Sequence, residues 1–161
     1  MNARPLRIGS LELPSPIVLA PMAGVTNAPF RTLCRRFAPG LLYVNEMVMA
    51  TALVHGNAKT ERMVTFAPDE SPRSLQLYGS DPAMISLAVK KLGEAGAVDH
   101  IDMNFGCPAA KVTRKGGGAA VPAKPNLLRA IMRAAVTAAS PYGIPVTAKF
   151  RMRSEEHTSE L

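Results

Sequence analysis

Five short, strand-like runs punctuate this chain, and their spacing leaves few architectures open: Ile17–Ala20, Leu41–Val44, Ser74–Leu77, His100–Asn104 and Val146–Phe150. Ile17 to Ala20 is continuous and apolar, as expected of a strand buried on both faces of a parallel sheet. Asn27 is then placed to cap a helix, with Pro29 in its first turn. Phe30, Leu33, Cys34 and Phe37 recur at i, i+3, i+4 and i+7, which predicts one apolar face against the core, with Cys34 on it. Pro39-Gly40 ends that helix. Residues 50–56 read as a short helix, with His55 at its surface or cap. Asp81-Pro82 opens a longer helix with Ile85, Ala88, Val89 and Leu92 as its buried stripe, and Gly96 is placed to end it. Pro125 opens another, with Leu128, Ile131, Met132 and Ala135 on one side.

Alternating β and α elements predict a parallel sheet with helical crossovers. The pattern by itself leaves two closures open, a doubly wound sheet and a (β/α)8 TIM barrel. No Gly-x-Gly-x-x-Gly follows the first strand, which counts against a dinucleotide-binding sheet. Polar or reactive residues stand at the C-terminal end of every predicted strand: Met22, Glu46, Gln76, Asn104 with Cys107, and Lys149. Barrel sites are assembled from several strand ends on one rim, so this distribution favours the barrel.

Size and composition suit one packed domain. The chain has 161 residues, 47% of them hydrophobic, with a mean hydropathy of +0.07, enough to build a core of ordinary size. No apolar run reaches the roughly 20 residues that span a bilayer, and Met-Asn-Ala-Arg-Pro leads into no signal-peptide core, so a cytoplasmic address is expected. Two cysteines, Cys34 and Cys107, make no disulfide framework, in keeping with a reducing compartment. Net charge is +7, which favours a polyanionic partner through phosphate contacts and equally serves a generic soluble surface.

The densest chemistry lies at Asp102-Met103-Asn104-Phe105-Gly106-Cys107-Pro108, followed by Lys111, Arg114, Lys115 and Gly116-Gly117-Gly118. A thiol on a tight loop at a strand's end is held on a rigid frame. An unperturbed thiol has a pKa of about 8.5 and is mostly protonated at neutral pH, so it can serve as a general acid. A buried structural thiol is the plainer alternative. No histidine adjoins Cys107, which removes support for a Cys-His nucleophile, and no Cys/His pair has zinc-ligand spacing, so no metal is expected. Asn104 offers a donor and an acceptor to a base edge, or caps the turn. Lys149 inside an apolar strand is costly unless paired; otherwise it snorkels from the strand end. The three glycines predict a deformable, mobile loop.

These stretches together resemble the tRNA-dihydrouridine synthase family, flavin enzymes that reduce uridines in tRNA. Leu19 to Arg31, with its Ala-Pro-Met-Ala-Gly core, is similar to the family's first flavin loop. Asn45-Glu46-Met47, Gln76 to Pro82, Asp102 to Pro108 and Val146 to Arg151 are similar to its later strand ends, in family order. The resemblance implies a (β/α)8 TIM barrel truncated to about its first five βα units, since a barrel takes about 250 residues. It implies FMN beside Pro21, Met22, Ala23, Gln76 and Lys149, with NADPH as reductant. It implies a tRNA uridine held by Asn104, with Lys111, Arg114 and Lys115 near the RNA, and Cys107 giving a proton to C5 as reduced FMN gives hydride to C6. Residues 1–153 are then the N-terminal part of the catalytic barrel. Residues 154–161 read as translated sequencing adapter, a non-native tail in which His157 has no role. The flavin-phosphate loops, a later histidine and the C-terminal helical tRNA-binding domain are expected to be missing, leaving this piece inactive alone. Two other readings stand beside it: a barrel lyase with Lys149 as Schiff base, and an inactive basic half-barrel that binds RNA weakly.

Overall fold

The computed structural model describes residues 4–152, so the tail assigned to residues 154–161 lies outside it. A small antiparallel hairpin comes first, β1 (Leu6–Ile8) and β2 (Leu11–Leu13), turning through Gly9 at φ 58°. Its apolar side chains pack on Leu42 and Val44. Then follow β3 (Val18–Leu19), α1 (Ala28–Phe37), β4 (Leu42–Met49), α2 (Ala50–Val54), α3 (Ala58–Met63) and β5 (Ser74–Tyr78). The chain continues through α4 (Pro82–Glu94), β6 (His100–Phe105), α5 (Ala110–Thr113), α6 (Pro125–Ala139) and β7 (Val146–Phe150).

Strands β3 to β7 form one parallel sheet in sequential order. A doubly wound sheet must reverse its strand order at a switch point; this sheet does not, and it curls as half of a TIM barrel. Helix α4 packs against both α2 and α6, which lines the crossover helices along one side. Towards them the strands send Leu75, Leu77, Ile101, Met103 and Phe105, all buried against Ile85, Val89, Leu92, Ile131 and Ala135. Each such side chain contributes roughly 1.5–3 kcal/mol on burial. The alternate positions, on the barrel-interior side, are polar: Ser74 and Gln76, then His100, Asp102 and Asn104, then Thr147 and Lys149. Parallel register sets Gln76 beside Asp102, Asp102 beside Thr147 and Asn104 beside Lys149.

Two expectations fail at the sheet's first edge. Ile17 and Val18 are exposed rather than buried on both faces, because β3 pairs with β4 on one side only among the described residues. Asn27 does cap α1 through its side chain. However, Leu33 is 51% exposed and Phe37 82%, and Cys34 is only half-buried, whereas Arg31 is fully buried. The helix turns a charged residue inward because that residue finds a complete set of acceptors there. Among the described residues, no helix is long and apolar enough to cross a membrane.

Candidate active site

The loop after β3 is held from three directions. Thr26 is buried and closes the turn on Met22: its Oγ1 accepts from Met22 N (3.0 Å) and donates to Met22 O (3.2 Å). Gly24 adopts φ 75°, a conformation that favours glycine, and donates its N–H to Glu46 Oε2 at 2.7 Å. Met22 is thereby left 41% exposed at the strand's end, with Ala23 and Gly24 also open.

Beneath that loop lies Arg31. Its guanidinium pairs side-on with Glu70, and Nη1 donates to Thr26 O (2.7 Å) and Asn45 Oδ1 (2.8 Å). Nη2 donates to Thr65 O and Glu70 Oε2, both at 3.0 Å, and Phe66 stacks over the group. Asn45 in turn donates to Met63 O (2.6 Å) and accepts from Glu46 N (2.8 Å). One arginine thus fastens three chain segments at the rim. This cluster leaves no local signal in the sequence: nothing near Arg31 marks Glu70, 39 residues further on, as its partner.

Cys107 is half-buried where β6 turns into α5. Asn104 Oδ1 accepts from Gly106 N (3.1 Å) and Cys107 N (2.9 Å), so its side chain shapes the cysteine's turn. Cys107 O accepts from Ala119 N at 3.0 Å. Gly118 packs so tightly that a Cβ there would stand 2.5 Å from Cys107 O. The expected open loop is therefore a compact structure: α5, a turn and a 3-10 segment, with Val112 and Val121 buried beneath it. Gly118 serves close approach, and Gly116 and Gly118 take the positive φ values (77° and 56°) that the turn requires. Lys111, Arg114 and Lys115 are exposed to solvent beside the cysteine turn. Burial raises the Tyr78 phenol above its ordinary range, and the nearness of Cys107 adds to this.

Strands β5, β6 and β7 carry a continuous polar ladder along their interior face. Asn104 Nδ2 donates to Gln76 Oε1 (2.8 Å), and Gln76 Nε2 donates to Asp102 Oδ2 (2.6 Å). Thr147 Oγ1 donates to Asp102 Oδ1 (2.7 Å), lies 3.1 Å from His100 Nε2, and Ser74 Oγ lies 2.7 Å from His100 Nδ1. Burial pushes the Asp102 carboxyl up; donation from Thr147 and Gln76, and the Lys149 charge, pull it back. Burial holds the His100 imidazole down at about 4, against an ordinary 6.5. An unfolded chain takes up that proton at higher pH than the folded one, so stability falls as pH drops through this window and levels off below it. The His100 contribution is about 3 kcal/mol, and the raised Asp102 opposes it. Replacing His100 with Gln should flatten the loss of unfolding free energy between pH 6.5 and 4. An unchanged slope would show that His100 does not carry it.

The sequence-derived residues fall into two groups on one rim. Asn104, Gln76 and Cys107 are joined by hydrogen bonds, with Lys149 beside Asn104 in register. Pro21, Met22 and Ala23 stand beyond β4 and connect to the first group through it: Glu46 holds Gly24, and Met47 Sδ accepts from Asn104 Nδ2 at 3.4 Å. Asn104 commits its amide to the turn and the ladder, the capping role left open by its sequence. The exposed Met22–Ala23–Gly24 loop and the half-buried Lys149 ammonium suit a planar ring that gains negative charge. Among the described residues, no three His, Cys, Asp or Glu side chains are grouped to hold a metal ion.

Comparison with known proteins agrees with this geometry. The family model described as Dihydrouridine synthase (Dus) matches residues 18–161. A "Probable tRNA-dihydrouridine synthase" of Mycobacterium tuberculosis (strain ATCC 25618 / H37Rv) is 54% identical over 153 residues, covering 91% of this chain and 39% of the relative. That of Mycobacterium leprae is 52% identical over 170 residues, covering 89% and 44%. A "tRNA-dihydrouridine synthase B" of Pseudomonas aeruginosa is 42% identical over 146 residues, covering 91% and 42%. The chain spans about two-fifths of the length of these curated relatives and matches their N-terminal part. The sequential half-barrel, its polar strand ends and the match from Val18 onward agree on one lineage, and the chain belongs to the dihydrouridine synthase family.

Proposed function

We propose that the enzyme carrying this sequence reduces a uridine of tRNA to 5,6-dihydrouridine, with Cys107 as the proton donor. The observation that carries this reading is the placement of Cys107. It is a half-buried thiol at a barrel strand's C-terminal end, on a turn shaped by Asn104 and flanked by Lys111, Arg114 and Lys115. Reduction of the 5,6 double bond takes a hydride at one carbon and a proton at the other. With FMN held beside Pro21, Met22, Ala23, Gln76 and Lys149 and reduced by NADPH, C6 would receive its hydride from that group. Cys107 delivers its thiol proton to C5, and the thiol is then restored from solvent.

The chain's own residues prepare that transfer. The exposed loop at Met22 and Ala23, with Pro21 before it, would receive the flavin ring, and Gln76 would meet its edge. Lys149 would supply positive charge to the reduced ring, the usual way a protein tunes such a cofactor. Asn104, its amide committed to the turn and to Gln76, orients the thiol towards the uracil rather than gripping the base itself. Lys111, Arg114 and Lys115 hold phosphates without reading sequence, and the base must leave its stack to reach the thiol. The reaction belongs to the cytoplasm, where tRNA is matured.

The test is direct. The enzyme carrying this sequence, given unmodified tRNA and NADPH, should yield a uridine heavier by two hydrogens in mass spectrometry of the digested RNA. No such product, with carbonyl substrates instead trapped on Lys149 by borohydride, would favour the lyase. Replacing Lys149 with Ala removes one charged partner of the cofactor, worth about 1.5–3 kcal/mol, so flavin should bind roughly tenfold or more weakly. Flavin titration and stopped-flow reduction indistinguishable from the parent would remove Lys149 from this role.

A further inference from the structure

We infer that Asp102 is a positioning residue for Cys107, acting through the amides of Gln76 and Asn104. The inference rests on the proposed role of Cys107 for its functional meaning, though not for its geometry. An ionised carboxylate only accepts hydrogen bonds. Gln76 must therefore turn Nε2 to Asp102 and Oε1 to Asn104. Asn104 must then turn Nδ2 to Gln76, which leaves Oδ1 to receive the N–H groups of Gly106 and Cys107. Every donor in this arm points towards Asp102, from the cysteine's backbone inward.

A second arm converges from the other side. Thr147 donates to Asp102 Oδ1 and so accepts from His100 Nε2, which leaves His100 Nδ1 to accept from Ser74. This assigns the Nε2–H tautomer to His100. Asp102 is the common acceptor of both arms, within a strand whose residues are all buried. Chains of hydrogen bonds aligned this way strengthen one another in a low-dielectric interior. The thiol's turn is thereby tied to the barrel interior across β5 and β6, and its place is set by a carboxylate five residues away in sequence.

Polarity, rather than mere packing, is the testable content, and a charge swap isolates it. In the enzyme that carries this sequence, Asp102→Asn keeps an acceptor towards Gln76 and a group that can meet Thr147. Gln76→Glu instead sets two carboxylates face to face. The double variant carries both changes. Its new amide at position 102 donates to the new carboxylate at position 76. That carboxylate still accepts from Asn104, so the direction of the Cys107 arm is restored. The readouts are peptide-resolved alkylation of Cys107 by iodoacetamide and amide exchange at Gly106 and Cys107, with Ile85 and Ala135 in the helices as internal references.

Gln76→Glu is expected to raise both rates at the cysteine loop by about tenfold or more, since buried partners are lost, while the helical references hold. Adding Asp102→Asn should return the rates to within about threefold of the parent, as should Asp102→Asn alone. Unaltered Cys107 exposure in Gln76→Glu, or no recovery in the double variant, overturns the assignment. Should Gln76→Glu not fold, a folded double variant with parental loop exchange supports it, and an equally unfolded one overturns it. None of these readouts involves flavin or tRNA, so the result separates this relay from the proposed reaction. A missing dihydrouridine product would sink the reaction and leave the relay standing.

Discussion

Cys107→Ala, introduced into the enzyme that carries this sequence, should cut dihydrouridine formation by about 10²–10⁴-fold, the usual contribution of a positioned general acid. Flavin reduction by NADPH should continue at close to the parental rate. The separation follows from where the thiol sits. Cys107 stands on the β6 turn, held by Asn104 and by Ala119 N, whereas the open shelf proposed for the ring lies beyond β4 at Met22 and Ala23. Removing one sulfur leaves that shelf and Lys149 untouched. Two stopped-flow measurements decide it: flavin bleaching with NADPH alone, then reoxidation with tRNA. Loss confined to the second supports the proton-donor role. Equal loss in both half-reactions would mean that Cys107 supports the fold of the site, and the assignment would fall.

Arg31→Met should be the most damaging single change to stability. Arg31 is fully buried, and the Glu70 side chain that pairs with it is only 1% exposed. Arg31→Met takes away the two-point partner of Glu70 and leaves it only the Ala67 N–H at 3.1 Å and Arg35 Nη1 at 3.8 Å; breaking a buried pair this way costs about 3–5 kcal/mol. For a domain of this size that lowers the unfolding midpoint by roughly 10 °C. Arg31→Met with Glu70→Leu should recover much of the loss, because replacing both members with apolar groups removes the stranded charge. The same change releases Thr26 O and Asn45, so the Met22–Gly24 turn loses its support and flavin binding should weaken in step. Thermal unfolding of the two variants checks the first point. A midpoint within a degree or two of the parent for Arg31→Met would show that Glu70 finds compensation elsewhere.

Much of the frame was readable before any coordinates. The five strands fall where the apolar runs placed them, Asn27, Asp81 and the prolines after them start helices, and β6 ends in the cysteine turn. Such features are local. A cap needs a side chain within three residues, a helix stripe needs its own period, and a strand-end motif carries its chemistry in one short stretch. The apolar stripe of α1 misled for the same reason. Periodicity states which residues share a side, not which side meets the sheet, and Leu33 and Phe37 face outward while Arg31 turns in.

What the linear order could not hold is how polar groups far apart in the chain satisfy one another. Arg31 is buried only because Glu70, Asn45 and the carbonyls of Thr26 and Thr65 converge on it. Asp102 gains its place only because parallel register brings Gln76 and Thr147 to its two oxygens. Burying either group alone is costly, and a sequence reader who assumes the cost is avoided will place both at the surface. The residues at the strand ends, the helix starts and the cysteine turn were determined by the sequence, since their causes are short-range. The two buried networks that hold those ends in place were decided by the tertiary structure, because only the folded sheet brings together the partners that offset the cost of burying a charge.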